Sequence, residues 1–263
     1  MNTTVHTIDL WFCKPSLITD ASLLSRYHHL LNAEEAEKVA RLKFEKHRKD
    51  ALITRVFIRE ILAKYTGMPA TSLEFGKGEK GKPYLSNIHR PIFFNLSHTQ
   101  DLIICGVTPF ADIGVDVENL QRNDENIIEI ADRYFSPTEV AALQKLPANQ
   151  KKSRFFDYWT LKESFIKVVG LGLSFPLDKF SFSIGSQPTR LWNPNITLSV
   201  DEERLENGDE YTSWIFYPST VHRIALTIEN KQQLEKSAFS LRFFETIPGK
   251  WTNEVNLLTD GIV

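Results

Sequence analysis

Asp157-Tyr-Trp-Thr-Leu-Lys-Glu-Ser-Phe-Ile-Lys-Val-Val-Gly-Leu-Gly-Leu173 is the stretch whose reading decides the rest of the chain. Wound as a helix, it places Trp159, Glu163 and Lys167 at i, i+4 and i+8, within one narrow stripe. Leu161, Phe165, Ile166, Val168 and Val169 cover most of the remaining surface, and a helix that is apolar nearly all round is a buried one. Gly170 and Gly172 supply its stop. On a solvated face a Glu/Lys pair four residues apart contributes only about 0.3–0.5 kcal/mol. On a buried face the same two charges are costly unless further groups engage them.

The 263 residues, 42% of them apolar, suffice for one large domain or two of about half that size with real cores. A formal charge of −2 indicates neither a nucleic-acid nor a membrane partner. Cys13 and Cys105 are far apart and lack metal spacing, which suits reduced core thiols in a cytoplasmic protein. The N-terminus lacks the charged-then-apolar pattern of a signal peptide, and no apolar run approaches the roughly 20 residues that span a bilayer.

Working outward, Val5–Phe12 reads as a first strand and Glu34–Tyr65 as a long helical region stopped at Gly67 and Pro69. Gly76–Pro83 is a turn rich in Gly and Lys. Ile92–Leu96 and Leu102–Val107 form a hairpin-like pair, and Ile113–Glu118 is another strand. Asn126–Tyr134 and Pro137–Leu146 are helical, the second with Ser136 as N-cap and Pro137 in the first turn. Beyond Pro176 the chain is strand-like: Phe180–Ile184, Ile196–Val200, Tyr211–Tyr217, Arg223–Ile228 and Leu241–Glu245. Strands and helices mix without a βαβ rhythm, so the expected class is α+β. Two similar halves meeting near residue 112 are expected, although residue identities alone display no repeat. The expected division is residues 1–112, residues 113–245 carrying the acidic cluster, and a tail of residues 246–263 with no assigned role.

Three constellations bear chemistry. Ile113-Gly-Val-Asp-Val-Glu118 alternates with period two, so Asp116 and Glu118 share a strand face about 6.5–7 Å apart at their backbones. An edge strand with a solvated acidic face explains that pair by itself. Joined by Glu163, the carboxylates make an oxygen-rich site of the magnesium kind. Asn95-Leu-Ser-His98 ends an apolar strand, where Ser97 and His98 are either structural or phosphate contacts. Two basic clusters, Lys38/Arg41/Lys43/Lys46/Arg48 and Lys77/Lys80/Lys82, are solvated surfaces taken singly. Beside an acidic metal site they suit a polyphosphate ligand. No Walker motif and no Gly-x-Ser-x-Gly elbow is present.

Gly81-Lys-Pro83, Asn95-Leu-Ser-His98, Gly114-Val-Asp-Val-Glu118 and Trp159-x-x-Lys-Glu163-x-x-x-Lys167, in this order and spacing, closely resemble the Sfp-type 4′-phosphopantetheinyl transferases. Gly170-x-Gly-Leu173, Pro176-Leu-Asp-Lys-Phe180 and Arg133-Tyr-Phe-Ser-Pro-Thr-Glu139 are similar to the same family, so the likeness runs from about Glu34 to Phe182. The resemblance implies a pseudo-twofold α+β fold of two subdomains with coenzyme A in the cleft between them. It implies Mg²⁺ and transfer of the phosphopantetheine arm to a serine of an acyl- or peptidyl-carrier protein, releasing 3′,5′-ADP. By position Asp116, Glu118 and Glu163 resemble the metal ligands. Lys167 resembles the lysine beside the pyrophosphate, and Lys38, Lys82, Ser97 and His98 resemble coenzyme A phosphate contacts. Asp116, Glu163 and Lys167 would carry the chemistry, and at this length a monomer is expected. A catalytically silent coenzyme A- or carrier-binding module, and a metal-dependent phosphohydrolase of coenzyme A or nucleotides, stay open beside the transferase.

Overall fold

The computed structural model describes residues 5–78, 81–122, 126–170, 172, 175–186, 189, 191–200 and 208–258. Lys80 and Leu173, named above, lie outside the described residues, as does the chain after residue 258. The first half runs β1 (His6–Cys13), α1 (Ala21–His28), α2 (Ala33–Ala40), α3 (Glu45–Thr66), β2 (Phe75–Lys77), β3 (Pro83–Leu85), β4 (Phe93–Thr99) and β5 (Leu102–Thr108). The second runs β6 (Ile113–Asn119), α4 (Ile127–Tyr134), α5 (Pro137–Gln144), α6 (Ala148–Val169), β7 (Phe180–Ile184), β8 (Trp192–Asn193), β9 (Ile196–Val200), β10 (Tyr211–Phe216) and β11 (His222–Glu229). The chain then returns through β12 (Phe239–Ile247) and β13 (Trp251–Val255).

The two halves repeat one plan: a strand, two helices of 8 residues, a helix of 22 residues, then antiparallel strands. Gly67 and Gly170 end the two long helices at φ 69° and 74°, a left-handed conformation that Gly adopts without penalty. The long region read as Glu34–Tyr65 is two helices, because Arg41–Phe44 breaks it; α6 begins seven residues before the predicted Phe155.

The repeat extends to buried charges. Asn32 and Ser136 each open a capping box with a Glu three residues on, Glu35 and Glu139. Arg59 Nε donates to Glu35 at 2.8 Å and Lys162 Nζ meets Glu139 at 2.7 Å. Arg59 stands fourteen residues after the first residue of α3, and Lys162 fourteen after the first of α6. Each cation also donates to two backbone carbonyls beyond its own helix: Ala70 and Leu73 for Arg59, Leu177 and Phe180 for Lys162. By the same spacing Glu60 and Lys64 of α3 match Glu163 and Lys167 of α6.

Three cores hold the layers. One packs α3 on one face of the sheet β13-β12-β1-β5-β4, and another packs α6 with β7 and β9 against the sheet β6-β11-β10-β8. The third joins the opposite faces of the two sheets through Ile8, Leu10 and Phe12 of β1 and Val115 and Val117 of β6. β1 is covered on both sides, which is why its sequence alternates only weakly. β12 pairs parallel with β1 from His6↔Phe239 to Phe12↔Glu245. The segment expected to close the second half at residue 245 therefore belongs to the first sheet, and residues 246–255, assigned no role above, extend it. Its attachment depends on long-range pairing that no local pattern encodes.

The α5–α6 anchor carries a testable cost. Lys162 and Glu139 are each 1% exposed at their side chains, so removing one leaves the other charge buried and uncompensated. Lys162→Met is expected to lower unfolding free energy by about 3–5 kcal/mol. Urea denaturation checks this; a loss below about 1 kcal/mol would mean that the pair does not anchor the second half.

Candidate active site at the seam between the halves

β4 is the edge of the first sheet and β6 the edge of the second, and they meet through side chains rather than a shared ladder. The Asn95 side chain accepts a hydrogen bond from the Val115 backbone N–H at 2.9 Å, and Ser97 Oγ accepts one from Val117 N–H at 3.4 Å. Both residues are buried. Alternate residues of β4 thus serve the free edge of β6, satisfying donors that would otherwise be buried without partners. The Asn-Leu-Ser pattern owes its first residue to this joint, a role that sequence reading missed.

On the other side, α6 lies directly on β6. A Cβ at Gly114 would stand 2.0 Å from the Ser164 carbonyl oxygen and 2.5 Å from the Val168 nitrogen, so only glycine permits this approach. The approach brings Lys167 onto Asp116: its Nζ donates to Asp116 Oδ1 at 2.6 Å, to Ser97 Oγ at 2.9 Å and to the Val115 carbonyl at 3.2 Å. Ser97 Oγ in turn donates to Asp116 Oδ1 at 2.8 Å. Asp116 Oδ2 is buried and has no hydrogen-bond partner.

Asp116, Ser97 and Lys167 are therefore assembled as one group, with Glu118 and Glu163 beside it. Burial, then the charge of Asp116, pushes the Glu118 carboxyl up to about 7, and Glu163 adds to the rise. Burial and Asp116 likewise raise Glu163. Glu118 also pairs with Arg122 at 3.3 Å. Among the described residues no three His, Cys, Asp or Glu side chains close around a common point. Mg²⁺ does not require such a cage: it takes one or two carboxylates, retains waters and shares substrate phosphates. The unpartnered Oδ2 of Asp116, with two further carboxylates raised by burial and by the Asp116 charge, is an oxygen donor set that fits it.

Lys82 reaches the same region from the first half. Its Nζ pairs with Asp112 at 2.8 Å and donates to the Val168 carbonyl in the last turn of α6 at 3.2 Å. His98 points to the opposite face of β4 from Ser97, as strand alternation requires. It lines a groove of about 680 Å³ with Leu42, Lys46, His47, Thr54 and Arg55. The expected Ser97–His98 contact pair is thus divided between two compartments. His47 and Arg55 were not singled out above; their spacing of eight on one helix is the available signal. Lys38 is half exposed and pairs with Glu34, which also feels Lys77 and Arg55.

The sequence has counterparts among known proteins. The 4′-phosphopantetheinyl transferase superfamily profile matches residues 112–228, and the profile for the 4′-phosphopantetheinyl transferase N-terminal region matches residues 19–109. A putative 4′-phosphopantetheinyl transferase of Synechocystis sp. is 30% identical over 216 residues, covering 78% of this chain and 84% of the relative. The chain belongs to the 4′-phosphopantetheinyl transferase family. A 4′-phosphopantetheinyl transferase of Bacillus subtilis is 39% identical over 151 residues, covering 57% of this chain and 65% of the relative, just under two thirds of its length. A Bacillus anthracis holo-(acyl-carrier-protein) synthase solved in complex with CoA (3′,5′-ADP) covers 45% of this chain and 95% of its own, at 16% identity and a TM-score of 0.35.

In this family member the acidic cluster makes the metal-free protein pH-sensitive. A carboxyl raised from 4.5 to about 7 on folding stabilises the fold while protonated. That contribution is full below pH 4.5 and is lost as pH rises through 7. Glu118→Gln is expected to be more stable than the parent at pH 8, by roughly 1–3 kcal/mol, with the advantage shrinking toward pH 5. Urea unfolding in chelator at both pH values checks it; an advantage of equal size at pH 5 and pH 8 would contradict the assignment.

Proposed function

We propose that the protein transfers the 4′-phosphopantetheine arm of coenzyme A to a serine of an acyl- or peptidyl-carrier protein, releasing 3′,5′-ADP, with Mg²⁺. The observation that carries this reading is the group at Asp116: a buried carboxylate with one free oxygen, two raised carboxylates beside it and one lysine upon it. It adjoins a groove lined by Lys46, His47, Arg55 and His98. The groove's volume is that of a cofactor site, and its lining suits phosphates.

Asp116, Glu118 and Glu163 would hold the metal; when bound, it would neutralise the pyrophosphate charge and orient it for in-line displacement. Lys167 is placed to follow the charge that develops on the leaving 3′,5′-ADP, exchanging Asp116 for a phosphate oxygen at no change of position. Lys82 contributes a second cation next to Val168. Glu163, its basicity raised by burial, takes the proton from the carrier serine as that oxygen attacks the β-phosphorus. His98 and Arg55 hold an outlying phosphate. Lys38, paired with Glu34 at the surface, would meet a phosphate of coenzyme A from outside. A monomer is the proposed working form, because residues of both halves of one chain suffice to build the acidic group and the groove. The two unpaired, buried thiols suit a cytoplasmic setting. Among the described residues no helix is long and apolar enough to cross a membrane.

Asp116→Ala is expected to lower transfer at least a hundredfold, since it removes the central carboxylate and takes from Lys167 its charged partner. Intact mass of an apo carrier incubated with coenzyme A and Mg²⁺ reads this out, with the carrier's Ser→Ala variant as control. Near-normal turnover in the Asp116 variant would displace the site. Cleavage of coenzyme A with no carrier present would favour the phosphohydrolase, and binding without mass gain the silent module.

His98→Ala is expected to weaken coenzyme A binding about tenfold or more, the worth of one charged contact of about 1.5–3 kcal/mol. Calorimetry giving equal affinity for parent and variant would move the phosphate out of the groove.

A further inference from the structure

The face that α6 turns toward the sheet carries a pattern separate from the reactive stripe. Asp157, Leu161, Ser164 and Val168 recur at spacings of four, three and four, and all are buried. Beneath them the register of β6, β11 and β10 forms transverse rows. Gly114 is opposite Thr227, which is opposite Ser213; Asp116 is opposite Ala225, which is opposite Ile215; Glu118 is opposite Arg223.

The first row is bonded to the helix by hydroxyls. Ser164 Oγ and Thr227 Oγ1 are 2.8 Å apart, Thr227 Oγ1 and Ser213 Oγ 2.9 Å, and Ser164 Oγ also donates to the Leu161 carbonyl at 2.8 Å. Ser164 and Thr227 are 0% exposed and Ser213 3%. The third row is bonded by charge. Arg223 Nε donates to Asp157 at 2.9 Å and its Nη2 to Ser153 Oγ at 2.6 Å. Asp116 occupies the row between. Ser164 is the immediate neighbour of Glu163 and lies three residues before Lys167, and Arg223 faces Glu118 across the strand pair.

We propose that Ser164–Thr227–Ser213 and Asp157–Arg223 form a two-point clamp that fixes the axial and rotational setting of α6 on its sheet, and so the spacing of Glu163 and Lys167 from Asp116 and Glu118. These are positioning residues for the reaction, and the inference rests on the transferase reading above. Two pins are needed because one leaves a helix free to pivot. The pins are seven residues apart, about 10.5 Å along the axis, and fall on either side of the acidic centre. Apolar contacts through Leu161 alone would tolerate sliding, since dispersion is non-directional. Hydrogen bonds in a dry interface do not, because any slip leaves a buried hydroxyl or charge without its partner.

The test compares Thr227→Val, which keeps shape and loses the hydroxyl, with Thr227→Ser, which keeps the hydroxyl, and adds Asp157→Asn for the other pin. All are assayed well below their melting temperatures, with folding confirmed by circular dichroism. Thr227→Val and Asp157→Asn are expected to lower kcat ten- to a hundredfold with the KM for coenzyme A within about twofold, because the groove belongs to the first half. Thr227→Ser should restore most of the rate. Mn²⁺ affinity, followed by electron paramagnetic resonance, should fall several-fold in the two damaging variants and recover in Thr227→Ser. Variants that melt earlier yet retain parental kcat and Mn²⁺ affinity would overturn the clamp and leave an ordinary buried network. If Thr227→Val does not fold, Asp157→Asn and Ser213→Ala decide by the same two readouts. A parent protein that never modifies a carrier would instead defeat the transferase reading, and Mn²⁺ affinity alone would then judge the clamp.

Discussion

The structure depends on burying one carboxylate, that of Asp116, at a seam. An isolated carboxylate in such a place is expensive enough to force protonation or local rearrangement. Here a lysine from the second half and a serine from the first both reach it, so its burial is tolerated only when the halves are together and α6 is seated. Gly114 makes the seating possible and Asn95 ties the two sheet edges together. One oxygen of Asp116 is left without a partner, and that oxygen is where fold and chemistry meet.

The two halves show what a duplicated plan preserves. The buried pairs Glu35–Arg59 and Glu139–Lys162 use different cations but the same position, the same capping box and the same pattern of carbonyl acceptors. What is retained is the requirement that a buried glutamate find a cation, not the identity of the cation. The reactive stripe is also duplicated in type, as Glu60 and Lys64. On α3, however, that face lies beside Thr246–Thr252 of the returning chain, whereas on α6 the matching face opens on β4 and β6. The returning strands are tied down by Arg242 on Asp9 and by Tyr27 on the Pro248 carbonyl. One copy of the plan thus became scaffold and the other became the site.

Division of labour across β4 is a second consequence of simple geometry. Adjacent strand residues point to opposite faces. Ser97 therefore joins Asp116 while its neighbour His98 joins the groove of Lys46, His47 and Arg55. A single strand separates the acidic compartment from the basic one.

The sequence by itself determined the α+β class, the buried character of α6, the same-face pair Asp116 and Glu118, and the stripe carrying Glu163 and Lys167. Each of these follows from a local period or a local stop signal, and the N-cap at Ser136 and the glycine stops at 67 and 170 were legible for the same reason. Tertiary structure alone decided the rest. The repeat was invisible to residue identity because the positions that agree in side chain, such as Glu35 with Glu139 and Lys64 with Lys167, are few and far apart, while Arg59 and Lys162 agree only in burial and partner. Asn95 could not be read as a joint because its partner, Val115 N–H, is twenty residues away on another sheet. The role of residues 239–255 rests on parallel pairing with β1 across more than two hundred residues. The pairing of Lys38 with Glu34 was likewise undecidable, since a surface lysine carries no record of what it borders. Periodicity reports what a segment buries; only the folded chain reports against what.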